Sequence, residues 1–268
     1  MPDTLPINNT DVPECYVDAW RKRSDTERTL WLQSHRLHAS LTIPLARPDF
    51  SGRQSWADFS DQELRELTHQ AGVAGACIAQ GDILHRRRQI DYLPRRGEPH
   101  LRRMRCDGAL LSEETLDGRE SCVWERLADT PHEIVALRFQ DASIGQHSDD
   151  QCKGYLLVIG NYFLFVRDRL VLTQQAESLA ILAEHKALDR MQLIELLDFE
   201  ISFGTRPASD APWMIQLSTL PFREGRLLLD NAALQGIVRD AGHGPHPVRW
   251  GGKYYLRYWS LDEWQPLG

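Results

Sequence analysis

The strongest hydrophobic pattern in the chain lies in residues 154–169. Two apolar runs, 155–159 and 162–166, are separated only by Gly160-Asn161. The first run is largely aliphatic and the second is aromatic and β-branched, a composition typical of strands on a half-buried pleated surface. A Gly-Asn pair between two such runs is typical of a tight turn. The segment therefore predicts a β-hairpin.

A similar layout occurs about 126 residues earlier, in residues 30–44, which indicates an internal repeat. In residues 37–43 apolar side chains occupy every second position. A strand with this alternation has one apolar face, which we expect to be buried, and one polar face. The polar face would carry His38, Ser40 and Thr42. The earlier hairpin is thus more polar than the later one, which makes the first half the better place to look for a ligand.

Two helices are predicted, one in each half. Ser60 precedes a short periodic segment and Glu63 follows three residues later, which is the signature of a capping box. Residues 176–188 are rich in Ala, Leu, Glu and Lys, a composition that favours a helix. After the first helix, short alternating runs are joined by turns such as Asp107-Gly108 and Asp117-Gly118, which predicts an antiparallel meander.

Six segments of the second half correspond, in the same order, to segments of the first, so we expect a duplicated β-rich unit. The predicted fold is all-β with one helix per half, built as two tandem antiparallel β-barrels, because closing a sheet removes its edges. One large sheet sandwich without duplication is the alternative. The predicted organisation is a flexible lead-in over residues 1–13, a first barrel over 14–130 and a second barrel over 131–268.

Composition narrows the class of protein. The 268 residues include 42% hydrophobic and 26% charged residues, which is typical of a globular chain. The net charge of −7 argues against general nucleic-acid binding, which needs a basic surface. No segment has the features of a secretory signal or a membrane helix. Five scattered cysteines without paired spacing fit free thiols in a reducing compartment. We expect a cytoplasmic monomer or homodimer with no nucleic-acid or membrane partner.

Three segments carry a resemblance to known proteins: WLQSHRLHASLTIPLARPDF at 31–50, GYLLVIGNYFLFVRDR at 154–169, and FEISFGTRP with WMIQLSTLPFREGRLL within 199–228. A strand, a helix and a meander in each half resemble the lipocalin-like (calycin) superfamily in tandem. The segments are also similar to uncharacterised bacterial two-barrel proteins and, distantly, to a fungal double-barrel protein of unknown chemistry. The resemblance implies barrels. Single-barrel relatives bind small apolar ligands or haem, but the matched segments include no catalytic signature.

A concentration of arginines in the first half departs from the mixed strand that such a barrel would have. These residues are Arg86, Arg87, Arg88, Arg95, Arg96, Arg102, Arg103 and Arg105. They fit either a solvated barrel exterior, balanced by nearby Asp and Glu, or a patch that holds a carboxylate or phosphate through bidentate contacts. The candidate ligand-binding residues are His38, Arg88, Tyr92, Arg103 and Arg167.

Acidic pairs are expected at the surface. Glu113-Glu114 is predicted to be solvated near a turn, and Asp198 and Glu200 to share an exposed strand face. Next to Arg167, Asp168 could orient the guanidinium at a barrel mouth, or the two could form an ion pair of little energetic value at a strand end.

No nucleophile, P-loop or dinucleotide-binding motif occurs, so no catalytic residue is assigned. The histidines lack a full set of metal-ligand spacings, so no metal is expected. A single histidine inside a barrel could ligate haem, with His38 and His185 as the formal candidates, but no cofactor is predicted.

The expected function is non-enzymatic binding of a small apolar or amphipathic molecule, with an anionic end held by arginine. An enzyme such as an isomerase, cyclase or hydrolase acting inside a barrel is one alternative. A structural or protein-interaction module with filled barrels is the other.

Overall fold

The computed structural model describes residues 12–93, 100–127, 133–140, 153–169, 176–185, 188–206, 212–239, 245–250 and 253–266. For residues 140, 185, 239, 245–250 and 253–258 only the backbone is described. The predicted lead-in therefore lies outside the described residues up to residue 11, as do Arg95, Arg96 and the predicted boundary at residue 130.

Among the described residues, the first half contains nine strands and one α-helix. The strands are β1 (Asp18–Lys22), β2 (Glu27–Gln33), β3 (Leu37–Pro44), β4 (Ala71–Gln80), β5 (Ile83–Arg86), β6 (Ile90–Asp91), β7 (His100–Asp107), β8 (Leu110–Glu114) and β9 (Ser121–Arg126). Helix α1 (Asp61–Leu67) lies between β3 and β4, and Ser60 is its N-cap residue. Its capping box is confirmed, because the Ser60 hydroxyl accepts from the Glu63 N–H while the Glu63 carboxylate accepts from the Ser60 N–H.

The first half is a closed barrel. Neighbouring strands are antiparallel in the order β3-β2-β1-β9-β8-β7-β5-β4, and β3 also pairs with β4, which closes an eight-stranded ring. The short strand β6 continues along the same edge of β4 beyond β5. An up-and-down barrel of this size has an inside that side chains either fill or leave open for one small ligand.

In the described part of the second half there are seven strands and three α-helices. The elements are β10 (Ile134–Gln140), β11 (Gly154–Ile159), β12 (Tyr162–Arg167), α2 (Leu179–His185), α3 (Arg190–Leu197), β13 (Glu200–Thr205), β14 (Met214–Ser218), α4 (Asn231–Arg239), β15 (Pro245–Trp250) and β16 (Lys253–Gln265). They form an antiparallel sheet in the order β14-β13-β12-β11-β10-β16-β15. The hairpin predicted at Gly160-Asn161 is confirmed as β11 and β12.

The two halves share a pairing plan. In each, the first strand pairs with the second, the second forms a hairpin with the third, and the first also pairs with a strand at the end of the half. The all-β prediction is confirmed, and the first half is a barrel. The second half, among its described residues, is a sheet whose order ends at β14 and β15, and it has three helices where one was expected.

The outer face of the first barrel is covered by the second half. Strand β3 contacts β11, β12 and β13. Its outward side chains, which include Leu37, Ala39 and Leu41, belong to one buried cluster together with Leu157 and Leu164 of the second sheet. Burying this apolar surface stabilises the pair of halves as one body, at about 25 cal/mol per Å².

The far face of the second sheet carries a different core. Its buried side chains are Val135, Leu137, Phe139, Leu156, Val158, Phe163, Phe165, Trp213, Ile215, Leu234, Ile237 and Trp259, of which Leu234 and Ile237 come from α4. A Cβ added to Gly154 would lie 1.7 Å from the Phe139 ring, so the glycine makes room for that ring. Large aromatic side chains fill this face at the density typical of protein cores.

Candidate functional site

A cavity of about 290 Å³ lies inside the first barrel. This volume is at the lower end of the ~300–1,000 Å³ range of small-molecule sites. The side chains that line it include three arginines (Arg86, Arg88, Arg102), two histidines (His38, His100) and two tryptophans (Trp31, Trp124).

Strands β2 and β3 supply the polar wall of the cavity. Thr29 and Trp31 line it from β2, and His38, Ser40 and Thr42 line it from β3. Successive side chains of a strand point to opposite faces. Because the second half buries the apolar face of β3, the polar face is turned inward. The barrel is therefore polar where many small barrels are apolar.

A β-bulge between β5 and β6 places Arg88. Strand β5 pairs Arg86 with Cys77, whereas β6 pairs Ile90 with Ala74, so the register changes by one residue. Residues 87–89 bridge this change opposite Gly75. A Cβ on Gly75 would lie 1.9 Å from the Arg87 carbonyl oxygen, so only glycine fits without moving the bulge. Bulges often redirect side chains beside binding sites.

The floor of the cavity contains a buried ion pair. Arg86 donates from Nη1 and Nη2 to the two carboxylate oxygens of Glu113, at 3.0 and 3.2 Å. The Trp124 indole N–H donates to Glu113 Oε2 at 2.8 Å, and Arg102 Nε lies 3.3 Å from Oε1. The Arg86 guanidinium also stacks 4.2 Å from the Trp31 ring centroid. A bidentate pair of this kind holds both side chains rigidly.

Both imidazoles in the cavity have a lowered pKa. Burial, and then the Arg86 guanidinium, lower the pKa of His38 to about 3. Burial, and then Arg102, lower the pKa of His100 to about 4. Both rings are therefore neutral near pH 7, chiefly because burial disfavours their charged forms and secondly because arginines lie nearby.

Three donors on side chains that line the cavity are fully enclosed by protein. They are the Trp31 indole N–H and the Nε–H of Arg86 and of Arg88, which are buried without a hydrogen-bond partner. Buried donors normally have partners, so these groups carry a desolvation cost. Arg88 also pairs with Asp91, whose Oδ2 lies 2.8 Å from its Nη2.

Two of the five predicted ligand-binding residues lie in the cavity: His38 and Arg88. His38 Nε2 lies 3.4 Å from the carbonyl oxygen of Arg87, within the bulge. The side chains of Tyr92, Arg103 and Arg167 do not line it.

Each of these three has another role. Tyr92 is fully buried and donates to the Leu67 carbonyl at the end of α1. Arg103 lies on the opposite face of β7 from Arg102 and pairs with Glu114 and Asp82. Arg167 pairs with Asp198 in the second half. The structure thus brings together only the part of the predicted set that points into the first barrel.

Two acidic residues expected at the surface are buried, which corrects that prediction. Glu113 is enclosed by Arg86 and Trp124. Glu200 accepts from Arg223 and from the Ser202 hydroxyl. In both cases an arginine from another part of the chain compensates the charge, which is the condition for burying a carboxylate.

Sequence reasoning missed Arg86, His100 and Arg102 as individual site residues, although it singled out the arginine-rich strands. The spacing of Arg86 and Arg88, and of His100 and Arg102, is the two-residue period that puts both members on one face. The sequence therefore showed that these side chains share a face, but it did not show whether that face points into the barrel.

In the described part of the chain, no three His, Cys, Asp or Glu side chains are grouped as metal ligands. His38 lies inside a barrel as a haem ligand would, but its Nε2 is directed at the Arg87 carbonyl. The side chain of His185 lies outside the described residues. None of the described helices is both long and apolar enough to cross a membrane.

Comparison with known proteins supports the fold and leaves the chemistry open. No protein-family model matches the chain, and no curated protein sequence matches it. The crystal structure of an uncharacterised protein from Saccharomyces cerevisiae is similar, with a TM-score of 0.50 and 13% identity. The match covers 92% of this chain and 99% of the yeast chain. The expected similarity to a fungal protein is thereby confirmed at the level of the fold.

Proposed function

We propose that the protein binds a small amphipathic anion in the cavity of its first barrel, without catalysing a reaction. The observation that carries this proposal is the set of guanidinium groups, Arg86, Arg88 and Arg102, around a cavity of about 290 Å³. A ligand that accepts hydrogen bonds and carries negative charge is complementary to this lining.

The apolar part of the ligand would contact the rings. Trp31, Trp124, Val73 and Cys122 also line the cavity. Small-molecule sites commonly combine such apolar walls with a few polar groups that fix orientation. The ligands of this class would share a carboxylate, sulfonate or phosphate attached to a compact apolar body.

The wider assignment is part of the same proposal. A lipocalin-like relationship is supported by the closed antiparallel barrel with a lined cavity. A cytoplasmic location is supported by Cys15, Cys77, Cys106 and Cys122, which are free thiols. We expect the partner to be a small molecule rather than a nucleic acid or a membrane, and the protein to be a monomer or homodimer.

Binding of a matched pair of fluorescent probes tests the proposal. Anilinonaphthalene sulfonate carries a permanent negative charge, and phenylnaphthylamine has the same rings without it. We expect the sulfonate to bind at least tenfold more tightly, because a charge-assisted hydrogen bond contributes about 1.5–3 kcal/mol. Fluorescence titration of the intact chain would measure both dissociation constants.

Variants on opposite faces of one strand locate the binding. Arg102→Gln removes a cavity guanidinium, and Arg105→Gln removes an exposed one from the same strand. We expect sulfonate binding to weaken by about tenfold in the first variant and to stay unchanged in the second. Equal affinity for the two probes, or equal effects of the two variants, would refute the proposed function.

A further inference from the structure

The structure assigns a position and a proton partner to the anionic end of the ligand. We propose that the anion lies between Arg88, His100 and Arg102, and that the imidazoles of His100 and His38 take up a proton when it binds. This inference rests on the proposed function and specifies its site and its pH dependence.

Strand register brings these groups to one part of the barrel. His100 pairs directly with Arg86 across β5 and β7. Arg102 follows two residues later on the same face of β7, and His38 faces the barrel from β3. All of them line the same cavity, together with Arg88 from the bulge.

The charged neighbours of both rings are known among the described residues. His38 is influenced by Arg86, Arg88 and His100, and its Nε2 faces the Arg87 carbonyl oxygen. His100 is influenced by Arg102, Arg86 and Arg88, and in the opposite sense by Glu113 of β8. Cationic groups outnumber carboxylates among these neighbours, and Lys22, Glu27 and Glu120 also line the cavity.

A bound anion would favour the protonated form of the imidazoles, whereas the arginines disfavour it. A negative charge within ~4–6 Å of an imidazole favours its protonated form. Burial and the nearby arginines lower the pKa of His100 to about 4 and that of His38 to about 3. His100 starts closer to the physiological range, so it would be the first ring to gain a proton. Binding is thereby linked to proton uptake and tightens as the pH falls.

Asp91 is the competing acceptor of a proton. Its carboxylate pairs with Arg88, and burial raises its pKa to about 6. If an anion drew Arg88 away from Asp91, proton uptake would occur at that carboxylate instead. The test must separate these two locations.

Calorimetry with anilinonaphthalene sulfonate tests the inference on the unmodified protein. The sulfonate stays ionised throughout, so any pH dependence comes from the protein. We expect affinity about threefold to tenfold higher at pH 5 than at pH 8, since one linked proton changes affinity at most tenfold per pH unit. At pH 6, the binding enthalpy should differ between two cationic buffers of different ionisation enthalpy, showing net proton uptake.

Three variants locate the proton. The double variant His38→Asn/His100→Asn should bind the probe without proton uptake. Asp91→Asn should retain the uptake, and so should His85→Asn, whose ring is on the outer face of β5. Circular dichroism would check that each variant is folded.

Each outcome decides something. Tight sulfonate binding with no proton uptake in the unmodified protein would overturn the inference and leave the proposed function standing. Uptake that persists in the double histidine variant, or is lost in Asp91→Asn, would also overturn it. Failure of the sulfonate to bind more tightly than phenylnaphthylamine would refute the proposed function, and this inference with it.

Discussion

The two halves of the molecule share a strand-pairing plan, but one encloses a cavity and the other packs an apolar core. In the first half, β3 presents His38 and Ser40 to a cavity. In the second half, β12 presents Phe163 and Phe165 to a filled apolar core. The backbone plan does not decide between a cavity and a core. The decision lies in the side chains at the inward positions of the hairpins.

The difference also shows how the polar barrel is stable. A barrel with charged residues inside has less apolar surface to bury in its interior. The first barrel has an apolar core of its own, which includes Trp20, Leu84 and Met104. Further stabilisation comes from outside, because the outer face of β3 packs on the apolar sheet of the second half.

The largest expected effect tests whether the second half is the packed one. Phe165→Ala should lower the free energy of unfolding by about 3–5 kcal/mol, because it leaves a cavity beside Phe139 and Trp259. Ser40→Ala, the corresponding inward position of β3, should change it by less than about 0.5 kcal/mol. Urea denaturation measures both. Similar losses for the two variants would remove the contrast between the halves.

A second prediction concerns the ion pair in the polar barrel. Glu113→Gln should cost about 3 kcal/mol, since it leaves Arg86 buried without a charged partner. Glu114→Gln, on the outward face of the same strand, should cost less than about 1 kcal/mol. Replacing both members in Arg86→Met/Glu113→Leu should recover part of the loss.

The Arg86–Glu113 pair should also make the stability of the protein depend on pH in the acid range. Burial alone would raise the pKa of Glu113, but Arg86 outweighs it and the pKa lies below its ordinary value of 4.5. The ion pair therefore stabilises the folded state fully above that value, and the contribution is lost as the pH falls through the lowered pKa. Glu113→Gln should reduce the loss of unfolding free energy between pH 5 and pH 2, measured by denaturation at each pH. An unchanged dependence on pH would contradict this.

Glycines in the two halves should respond to alanine with opposite sign. Gly75→Ala should destabilise the protein by about 1–3 kcal/mol, since the new Cβ would displace the bulge at Arg87. Gly236→Ala, in α4, meets nothing within 4 Å and should stabilise by up to about 1 kcal/mol. Thermal unfolding compares them. A stabilising Gly75→Ala would show that the bulge is not held in place.

The smallest effect concerns a contact that joins the halves. His35 lies between Glu14 and Glu263 of β16, and although burial opposes it, hydrogen bonds from its ring nitrogens to these carboxylates raise its pKa. Its stabilisation is present in full below pH 6.5, the ordinary value, and is lost as the pH rises through the raised pKa. The contribution is below about 1 kcal/mol for a partly exposed pair. Chemical denaturation at pH 6 and pH 9 should show a smaller difference in His35→Gln.

Local features of the fold were predictable from the sequence. The hairpin at Gly160-Asn161 and the capping box of Ser60 and Glu63 depend on residues close together in the chain. The alternation in β3 correctly separated His38, Ser40 and Thr42 from the apolar positions. What it could not give was the direction of each face, because that depends on a sheet more than a hundred residues away.

The burial of Glu113 was unpredictable for the same reason. Its partner Arg86 is 27 residues distant in sequence, and the pair exists only when β5, β7 and β8 are neighbours. Tyr92 and Arg103 were predicted as ligand-binding residues from the arginine-rich strands. In the structure their side chains do not line the cavity, since Tyr92 follows the bulge and Arg103 lies on the other face of β7 from Arg102.

One hydrogen bond between the halves affects which substitutions should weaken ligand binding. Tyr155 of β11 donates to the side-chain carbonyl oxygen of Gln89 at 2.6 Å, and the same oxygen accepts from the Ala76 N–H. The segment that carries Arg88 is therefore fastened from the second half. A mutational screen for loss of ligand binding should recover Tyr155→Phe although that residue is not in the cavity. If the proposed binding is correct, selection on the cavity would extend to Tyr155, which lies in the other half.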